Sequence, residues 1–315
     1  MISLKKMKII IITGGWSAER EENLTAAKSV KQTLLKNGVS PLYLEVKKST
    51  DFIPRLCRQK IDFALLCLTE EVPIQGILDV MNIPYNGSGV LTTALCLNKL
   101  KTKEIMKVHD VNYPSYFVLK KEGFPQFMRV LKKSKKQTIF GIKAPWVVKP
   151  NSCGSSIGIT LVKKKLDLAK AIKMALDHSS TILVENYING KELTIPVIGD
   201  TIFPPVEIQC PSGIYDEDAK ANFGAKYKAL VKFSSEMDLE IKKTISNLRK
   251  IFDLKNVWRM DGIWEKGKFY VLEVNTLPYL GGPFGVLATS FQAAGLTHYQ
   301  FLKEVICESL TSNKS

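Results

Sequence analysis

Trp258-Arg-Met-Asp-Gly-Ile-Trp264, Glu265-Lys-Gly-Lys268 and Phe269-Tyr-Val-Leu-Glu-Val-Asn275-Thr276 form the stretch that decides how this chain is read. Its alternation predicts strands over Trp258–Trp264 and Phe269–Glu273, joined as a hairpin. Successive strand residues point to opposite faces, so Arg259 shares a face with Asp261, and Glu273 with Asn275. An odd number of loop residues, supplied by Lys266-Gly267-Lys268, brings Asp261 opposite Glu273. Like charges directly across a ladder are destabilising, so two carboxylates and an amide side by side are a poor structural choice. A hard divalent cation removes that cost, and Mg²⁺ takes carboxylate, amide and phosphate oxygens. The other reading these residues leave open is an exposed hairpin with solvated acids.

Upstream, Val148-Lys149-Pro150 runs into Asn151-Ser-Cys-Gly-Ser-Ser-Ile-Gly158. A lysine at a strand end and a Gly/Ser loop can cradle a phosphate, with the N–H groups of Gly154, Ser155 and Ser156 turned toward its oxygens. The spacing is not Walker A, and a plain turn between two strands reads equally well. Val184-Glu185-Asn-Tyr-Ile188, with Glu192 close behind, puts acidic groups just after a strand. They can accept hydrogen bonds from an adenine amine or ribose hydroxyls, or simply face solvent.

Working outward, the chain divides into three units, 1–97, 98–183 and 184–315. The first alternates strands at Lys8–Ile12, Leu42–Val46 and Asp62–Leu68 with a helix ending near Leu35 before Asn37-Gly38. A further helix, opened by Pro73, carries Ile77, Leu78 and Met81. That alternation implies a parallel, doubly wound sheet. The second unit has helices at Asn98–Val108 and Leu166–Leu176 and strands at Trp146–Lys149 and Ile157–Val162. Its Lys120–Lys143 segment is weakly patterned and reads as peripheral. The third has strands at Glu192–Ile198 and Phe203–Gln209, the hairpin, and a helix over Glu236–Phe252. Ser235 with Asp238 resembles a capping box at the start of that helix. The fold class is α/β, an N-terminal parallel sheet followed by two α+β units.

Composition removes several alternatives. No apolar run approaches a membrane span. Ile9–Ile12 stops at Thr13-Gly14-Gly15 and suits a buried strand rather than a signal peptide. The six cysteines form no C-x-x-C pair and no disulfide scaffold, which predicts reduced thiols in a cytoplasmic protein. The three histidines have no metal-ligand spacing, so no transition-metal site is expected. The net charge of +15 owes much to Lys132-Lys133-Ser134-Lys135-Lys136 and Lys163-Lys164-Lys165. Without interleaved aromatics or a nucleic-acid motif, these runs predict solvated faces and attraction for a small polyanion rather than nucleic acid.

One segment and three pairs of segments, in order, resemble one enzyme family. Gly14-Gly-Trp-Ser-Ala-Glu-Arg-Glu21 resembles the G-G-x-S-x-E-R-E start of D-alanine–D-alanine ligases. Pro84-Tyr-Asn-Gly-Ser-Gly89 with Asn98-Lys99 is similar to their P-Y-x-G-S-G … D-K. Val148-Lys-Pro with Gly154-Ser-Ser-Ile-Gly158 resembles V-K-P … G-S-S-x-G. Arg259-Met-Asp261 with Leu272-Glu-Val-Asn-Thr276 resembles R-x-D … L-E-x-N-T. The match runs from about Met7 to about Ala294 with few length changes.

The resemblance implies an ATP-grasp fold: a Rossmann-like N-terminal domain and two α+β domains sandwiching ATP. It implies a cytoplasmic carboxylate–amine ligase acting through an acyl phosphate, in peptidoglycan synthesis. The cofactors implied are ATP and Mg²⁺, with Mn²⁺ as an alternative ion. The partners are small-molecule amino-acid substrates, without nucleic acid or membrane, and a homodimer is compatible with it. Carried over residue by residue, Lys99 and Lys149 hold phosphates beside the Gly154–Ser156 loop. Glu185 and Ile188 meet adenine, and Glu192 meets ribose. Asp261, Glu273 and Asn275 hold Mg²⁺. Glu19 binds the first ammonium with Ser155 beside it, and Arg259 stabilises the oxyanion. The family's Y-D-Y-x-x-K-Y lysine maps to Lys220, four residues after Asp216, with Lys226 in a rival register.

Two departures sit at the amino-acid end. Where the family has H-G-x-x-G-E-D-G before Q-G, this chain has the shorter Leu68-Thr-Glu-Glu-Val-Pro-Ile-Gln75-Gly76. After Asn275-Thr276 it reads Leu277-Pro-Tyr279-Leu-Gly-Gly-Pro283-Phe284, with Tyr279 in place of a glycine and Phe284 in place of a carboxylate-gripping serine. These changes predict a rebuilt acceptor site and weak D-alanyl-D-alanine synthesis.

Overall fold

The computed structural model describes residues 3–47, 52–69, 72–133, 138–215 and 224–312. Its first unit rests on β1 (Ile9–Gly14), β2 (Leu42–Val46) and β3 (Phe63–Cys67), parallel and ordered β2-β1-β3. Every residue of β1 and β3 is buried, as in a parallel sheet covered on both faces. Ile9 and Ile11 pack into one core with α1 (Arg20–Lys36). Ile10 and Ile12 pack into another with α2 (Phe52–Cys57) and α3 (Val72–Val80), and Pro73 lies in the first turn of α3. After α4 (Val90–Leu97) comes α5 (Lys99–Val108), N-capped by Asn98, whose Oδ1 accepts the Lys101 N–H at 3.0 Å.

The second unit holds β4 (Tyr116–Lys120), α6 (Phe124–Lys133), the small hairpin β5 (Thr138–Ile139) and β6 (Ile142–Lys143), β7 (Trp146–Pro150), β8 (Thr160–Val162), α7 (Lys165–His178) and β9 (Thr181–Asn186). Its antiparallel sheet runs β4-β9-β7-β8. On β7, Trp146 and Val148 enter the core beneath α6 and α7, while Val147 and Lys149 face the opposite side. The segment expected to be weakly patterned is thus structural. Phe127 and Leu131 of α6, one turn apart, are buried against this core, and surrounding lysines mask the stripe in the sequence. The strand expected from Ile157 begins only at Thr160, because Ser155, Ser156 and Gly158 at positive φ keep the chain turning.

The third unit contains β10 (Lys191–Ile198), β11 (Thr201–Ile202), β12 (Val206–Gln209), β13 (Lys226–Ala229), α8 (Ser235–Phe252), β14 (Val257–Glu265) and β15 (Lys268–Asn275). The sheet order is β13-β12-β10-β14-β15, with β11 beside β10. The strand expected over Phe203–Gln209 begins only at Val206, since Pro204 and Pro205 lack ladder donors. The α8 cap is Ser234, not Ser235: its side chain accepts the Met237 N–H at 3.2 Å. The chain then returns through α9 (Val286–Ala293) and α10 (His298–Ser312), whose Phe291, Phe301 and Val305 join the core under α1. Among the described residues no helix is long and apolar enough to cross a membrane.

The hairpin differs from expectation in one informative way. Glu265 pairs with Lys268 around a two-residue turn, Lys266-Gly267, with both φ positive. Continued without interruption, that register would set Asp261 opposite Leu272 and turn Glu273 to the core face beside Met260. Instead the register shifts between Asp261 and Gly262, leaving Leu272 as an extra residue and pairing Asp261 with Glu273 and Arg259 with Asn275. The bulge, not the loop, supplies the parity. It also leaves Gly262 no room, since a Cβ there would lie 2.4 Å from the Phe269 ring and 2.6 Å from the Tyr270 carbonyl oxygen. Gly262→Ala is expected to cost about 1–3 kcal/mol through overpacking. The check is a lower urea midpoint at unchanged m-value; an unaltered midpoint would contradict this close approach.

Candidate active site

The inner faces of the two antiparallel sheets face each other across a cleft that, with its opening to solvent, spans about 820 Å³. Val147 and Lys149 of β7 and Glu185 of β9 form one wall. Glu192 of β10, Ile208 of β12, Arg259, Asp261 and Ile263 of β14, and Leu272 and Glu273 of β15 form the other. Ile188, Ser156 and Tyr215 line it from connecting segments, and Lys99, the first residue of α5, closes one end.

Buried charge dominates the first wall. Glu185 accepts from Lys149 Nζ at 2.8 Å through one oxygen, and its other oxygen lies 3.2 Å from Lys103 Nζ. All three side chains are buried. Burial opposes the charge on Glu185, but the two ammonium groups override it and hold its carboxyl below the usual range. Glu185, expected at the adenine, therefore spends its carboxylate on two lysines while lining the cleft.

On the opposite wall the hairpin brings Arg259, Asp261, Glu273 and Asn275 together. Arg259 grips Asp261 through Nε at 2.8 Å and Nη2 at 2.7 Å, and Thr194 donates to Asp261 at 2.7 Å. Asn275 Nδ2 donates to Asp261 at 2.9 Å and lies 3.4 Å from Glu273 Oε1. Burial, together with the Glu273 charge, pushes Asp261 above its usual range against the pull of Arg259. Lys99 Nζ stands 3.7 Å from Glu273 Oε2. Among the described residues no three His, Cys, Asp or Glu side chains gather. An ion here would have two carboxylates, one amide and the oxygens of its ligand, a donor set that suits Mg²⁺.

The Gly/Ser loop joins this cleft to a second cavity of about 510 Å³, lined by Glu19, Thr69, Thr93, Lys99, Cys153, Gly154, Glu273 and Asn275. Lys99 Nζ donates to the Cys153 carbonyl at 2.7 Å. A Cβ at Gly154 would lie 2.5 Å from Glu19 Oε1, so only glycine lets the carboxylate approach. Ser155 Oγ lies 2.5 Å from Glu19 Oε1 and 2.9 Å from Glu22 Oε2, with one proton to serve both. Glu19 Oε2 is buried without a hydrogen-bond partner among the described residues. Ser156 turns the other way and donates to the Tyr215 carbonyl at 2.7 Å. Arg20 holds the base of the Glu19 turn, donating to the carbonyls of Gly15 and Val46 at 2.9 and 3.1 Å.

Known proteins match both the sequence and this architecture. The family model for the D-Ala–D-Ala ligase C-terminus matches residues 105–307. The D-alanine–D-alanine ligase of Geotalea uraniireducens is 34% identical, covering 87% of each chain. That of Buchnera aphidicola is 32% identical, covering 87% of this chain and 90% of its own. The chain belongs to the D-alanine–D-alanine ligase family. Among solved structures, the Bacillus anthracis D-alanine–D-alanine ligase complexed with ATP superposes with a TM-score of 0.80 at 26% identity, covering 98% of this chain and 99% of that one. A parallel sheet followed by two antiparallel sheets facing across a cleft is the ATP-grasp arrangement, and members of this family are ATP-dependent ligases.

Against that family the two departures look different in three dimensions than in sequence. Gln75 is fully buried, its Nε2 donating to the Ser88 carbonyl at 2.5 Å and Thr93 Oγ1 at 3.1 Å, so it braces the scaffold. Tyr279 packs against the core under α1, and Phe284 is 83% exposed. Neither lines the cavity beside Glu19. Lys220 lies outside the described residues, and Lys226 is exposed on β13. Lys103 was missed from sequence, although its four-residue spacing from Lys99 puts both lysines on one helix face. Cys153 and Tyr215 also line the two cavities without having been singled out for it.

Removing the carboxylate between two buried lysines leaves cations without a counter-charge. Glu185→Gln is expected to destabilise the protein by about 3 kcal/mol. Urea unfolding near neutral pH checks this, and a midpoint equal to that of the parent would refute the buried triad.

Proposed function

We propose that the chain joins two D-alanines with ATP, the cleft taking the nucleotide and the adjoining cavity the amino acids. The observation that carries this is Lys99, which lines both spaces and lies against the Cys153 carbonyl and Glu273. Units 1–97, 98–183 and 184–315 are the corresponding domains, and six free thiols favour a cytoplasmic setting.

In this reading Ile188 and the Glu185 segment meet the adenine, Glu192 the ribose, and Lys149 and Lys99 the phosphates. Asp261, Glu273 and Asn275 would hold Mg²⁺, or Mn²⁺, which neutralises phosphate charge when bound. Glu19, with its unpartnered buried oxygen, receives the ammonium of the first D-alanine, and Ser155 fixes that carboxylate in place. The first carboxylate attacks the terminal phosphorus of ATP, giving an acyl phosphate and ADP. The amine of the second D-alanine attacks the acyl carbon, phosphate departs, and the amine proton is lost. Arg259, held rigidly by Asp261, stabilises the oxyanion of that step. Tyr279 and Phe284 stay out of the cavity, so neither ring excludes D-alanine from it.

With D-alanine as the only amino acid, plus ATP and Mg²⁺, mass analysis should find D-alanyl-D-alanine and equimolar ADP. Asp261→Asn and Glu273→Gln should each lower ADP formation at least roughly 100-fold, the scale of one lost electrostatic contact, while keeping the native circular dichroism. ATP binding without any dipeptide would overturn the substrate assignment, and undiminished turnover in either variant would overturn the metal assignment.

A further inference from the structure

Lys103 is fully buried, yet its side chain does not line the nucleotide cleft. It rises from α5 one turn beyond Lys99 and ends beneath the rings of Tyr113 and Tyr116, 5.3 and 5.8 Å from their centroids. Its ammonium lies 3.2 Å from Glu185 Oε1, off the line of a good hydrogen bond. Neither atom has another hydrogen-bond partner among the described residues. The other Glu185 oxygen binds Lys149, which does line the cleft. Burying a cation so close to two other lysines is costly, and burial pushes the Lys103 ammonium down to about 8 despite the pull of Glu185. A structural need for one counter-ion to Glu185 is already met by Lys149, so the second lysine calls for another reason.

That reason lies in the net charge shown to the cleft. A lysine paired one-to-one with a buried carboxylate is electrically neutral to a phosphate a few ångströms away. Sharing the carboxylate with a second lysine leaves the group with one positive charge. We propose that Lys103 is a positioning residue for nucleotide binding: it takes up half of the Glu185 carboxylate, so that Lys149 meets the ATP phosphates with its charge uncancelled. The proposal rests on the reading of the cleft as the ATP site. Lys103 touches no reacting atom in it and acts only through Glu185.

The test compares ATP with adenosine, which shares the base and sugar but lacks phosphate. In the parent protein, ATP should bind far more tightly than adenosine. Lys103→Met, and the more polar Lys103→Gln in case the first variant folds poorly, should each weaken ATP binding by roughly tenfold or more. That is the scale of one charge removed at short range in a partly buried site. Adenosine affinity should stay within about twofold, because nothing touching the base or sugar is removed. The decisive arm is Lys103→Met/Glu185→Gln. Removing one charge of each sign leaves Lys149 uncancelled, so the ATP-to-adenosine ratio should return toward that of the parent. Circular dichroism and urea midpoints are followed for all variants. A purely structural lysine would weaken both ligands together and would not be rescued by the second substitution; either result overturns the proposal. A parent protein that does not distinguish ATP from adenosine would overturn the nucleotide reading of the cleft itself.

Discussion

Leu272 has no partner on β14, and that single excess residue decides which way Glu273 and Asn275 point. A strand ladder has a period of two, so shifting the register by one residue exchanges the faces of everything beyond it. Below the bulge, Phe269 and Val271 face the core. Beyond it, Val274 returns to the core while Leu272 and Glu273 both look into the cleft. Without the shift, Glu273 would be buried among Met260 and its apolar neighbours, where an ionised carboxylate costs several kcal/mol. The local geometry at Gly262 makes the bulge specific, since the Phe269 ring occupies the space a side chain would need. The Asp261–Glu273–Asn275 cluster, the Arg259 clamp and the cleft wall all inherit their orientation from this point.

Electrostatics organise the opposite wall on a longer scale. Residues 98–183 carry 18 of the Lys and Arg residues and only 5 of the Asp and Glu, so this unit holds 13 of the net 15 positive charges. Three of its lysines, Lys99, Lys103 and Lys149, are buried at the cleft and matched to Glu185 and Glu273. Many of the rest are exposed on α6 and α7, on the far side of the sheet. These outer charges make no contact with a ligand in the cleft, but their summed field favours approach of a polyanion and weakens with salt. Under the proposed reading the buried lysines do the discriminating, because in low dielectric a nearby charge counts for more.

Sequence carries much of this because its strongest signals are periodic or compositional. The Ile9–Ile12 run, the alternation in β14 and β15, and the lysine before a Gly/Ser turn each follow from local rules, and the structure places them as read. The rest required knowledge of partners. A β-bulge leaves no fixed signature, so the parity of the hairpin was assigned to a three-residue loop that does not exist. The stripe of α6, Phe124, Phe127, Met128 and Leu131, does keep helical spacing, but the lysine run that follows drew the reading toward a peripheral segment. Nothing in the sequence marks Lys103 as buried, because its burial depends on Tyr113, Tyr116 and Glu185 arriving from elsewhere in the chain.

The amino-acid end shows why substitutions that look severe in sequence can be mild in space. The segment after Thr276 is fastened by its backbone as well as by buried Leu277 and Leu280. Ser29 of α1 donates to the Gly282 carbonyl and accepts the Gly282 N–H at 3.2 Å. His298 Nε2 donates to the Leu280 carbonyl at 2.8 Å, while Nδ1 receives the Thr33 hydroxyl at 2.8 Å. Burial lowers the His298 pKa and favours the neutral ring that this pair of bonds describes. With both edges of the segment held from α1 and α10, the residue at 279 is free to pack into the core and the residue at 284 to face solvent. The walls of the larger cleft have less freedom, since their buried charges are balanced by one another. The aromatic residues at 279 and 284 are therefore what the mechanics of the fold permit, since neither lines the cavity that Glu19, Gly154 and Lys99 define.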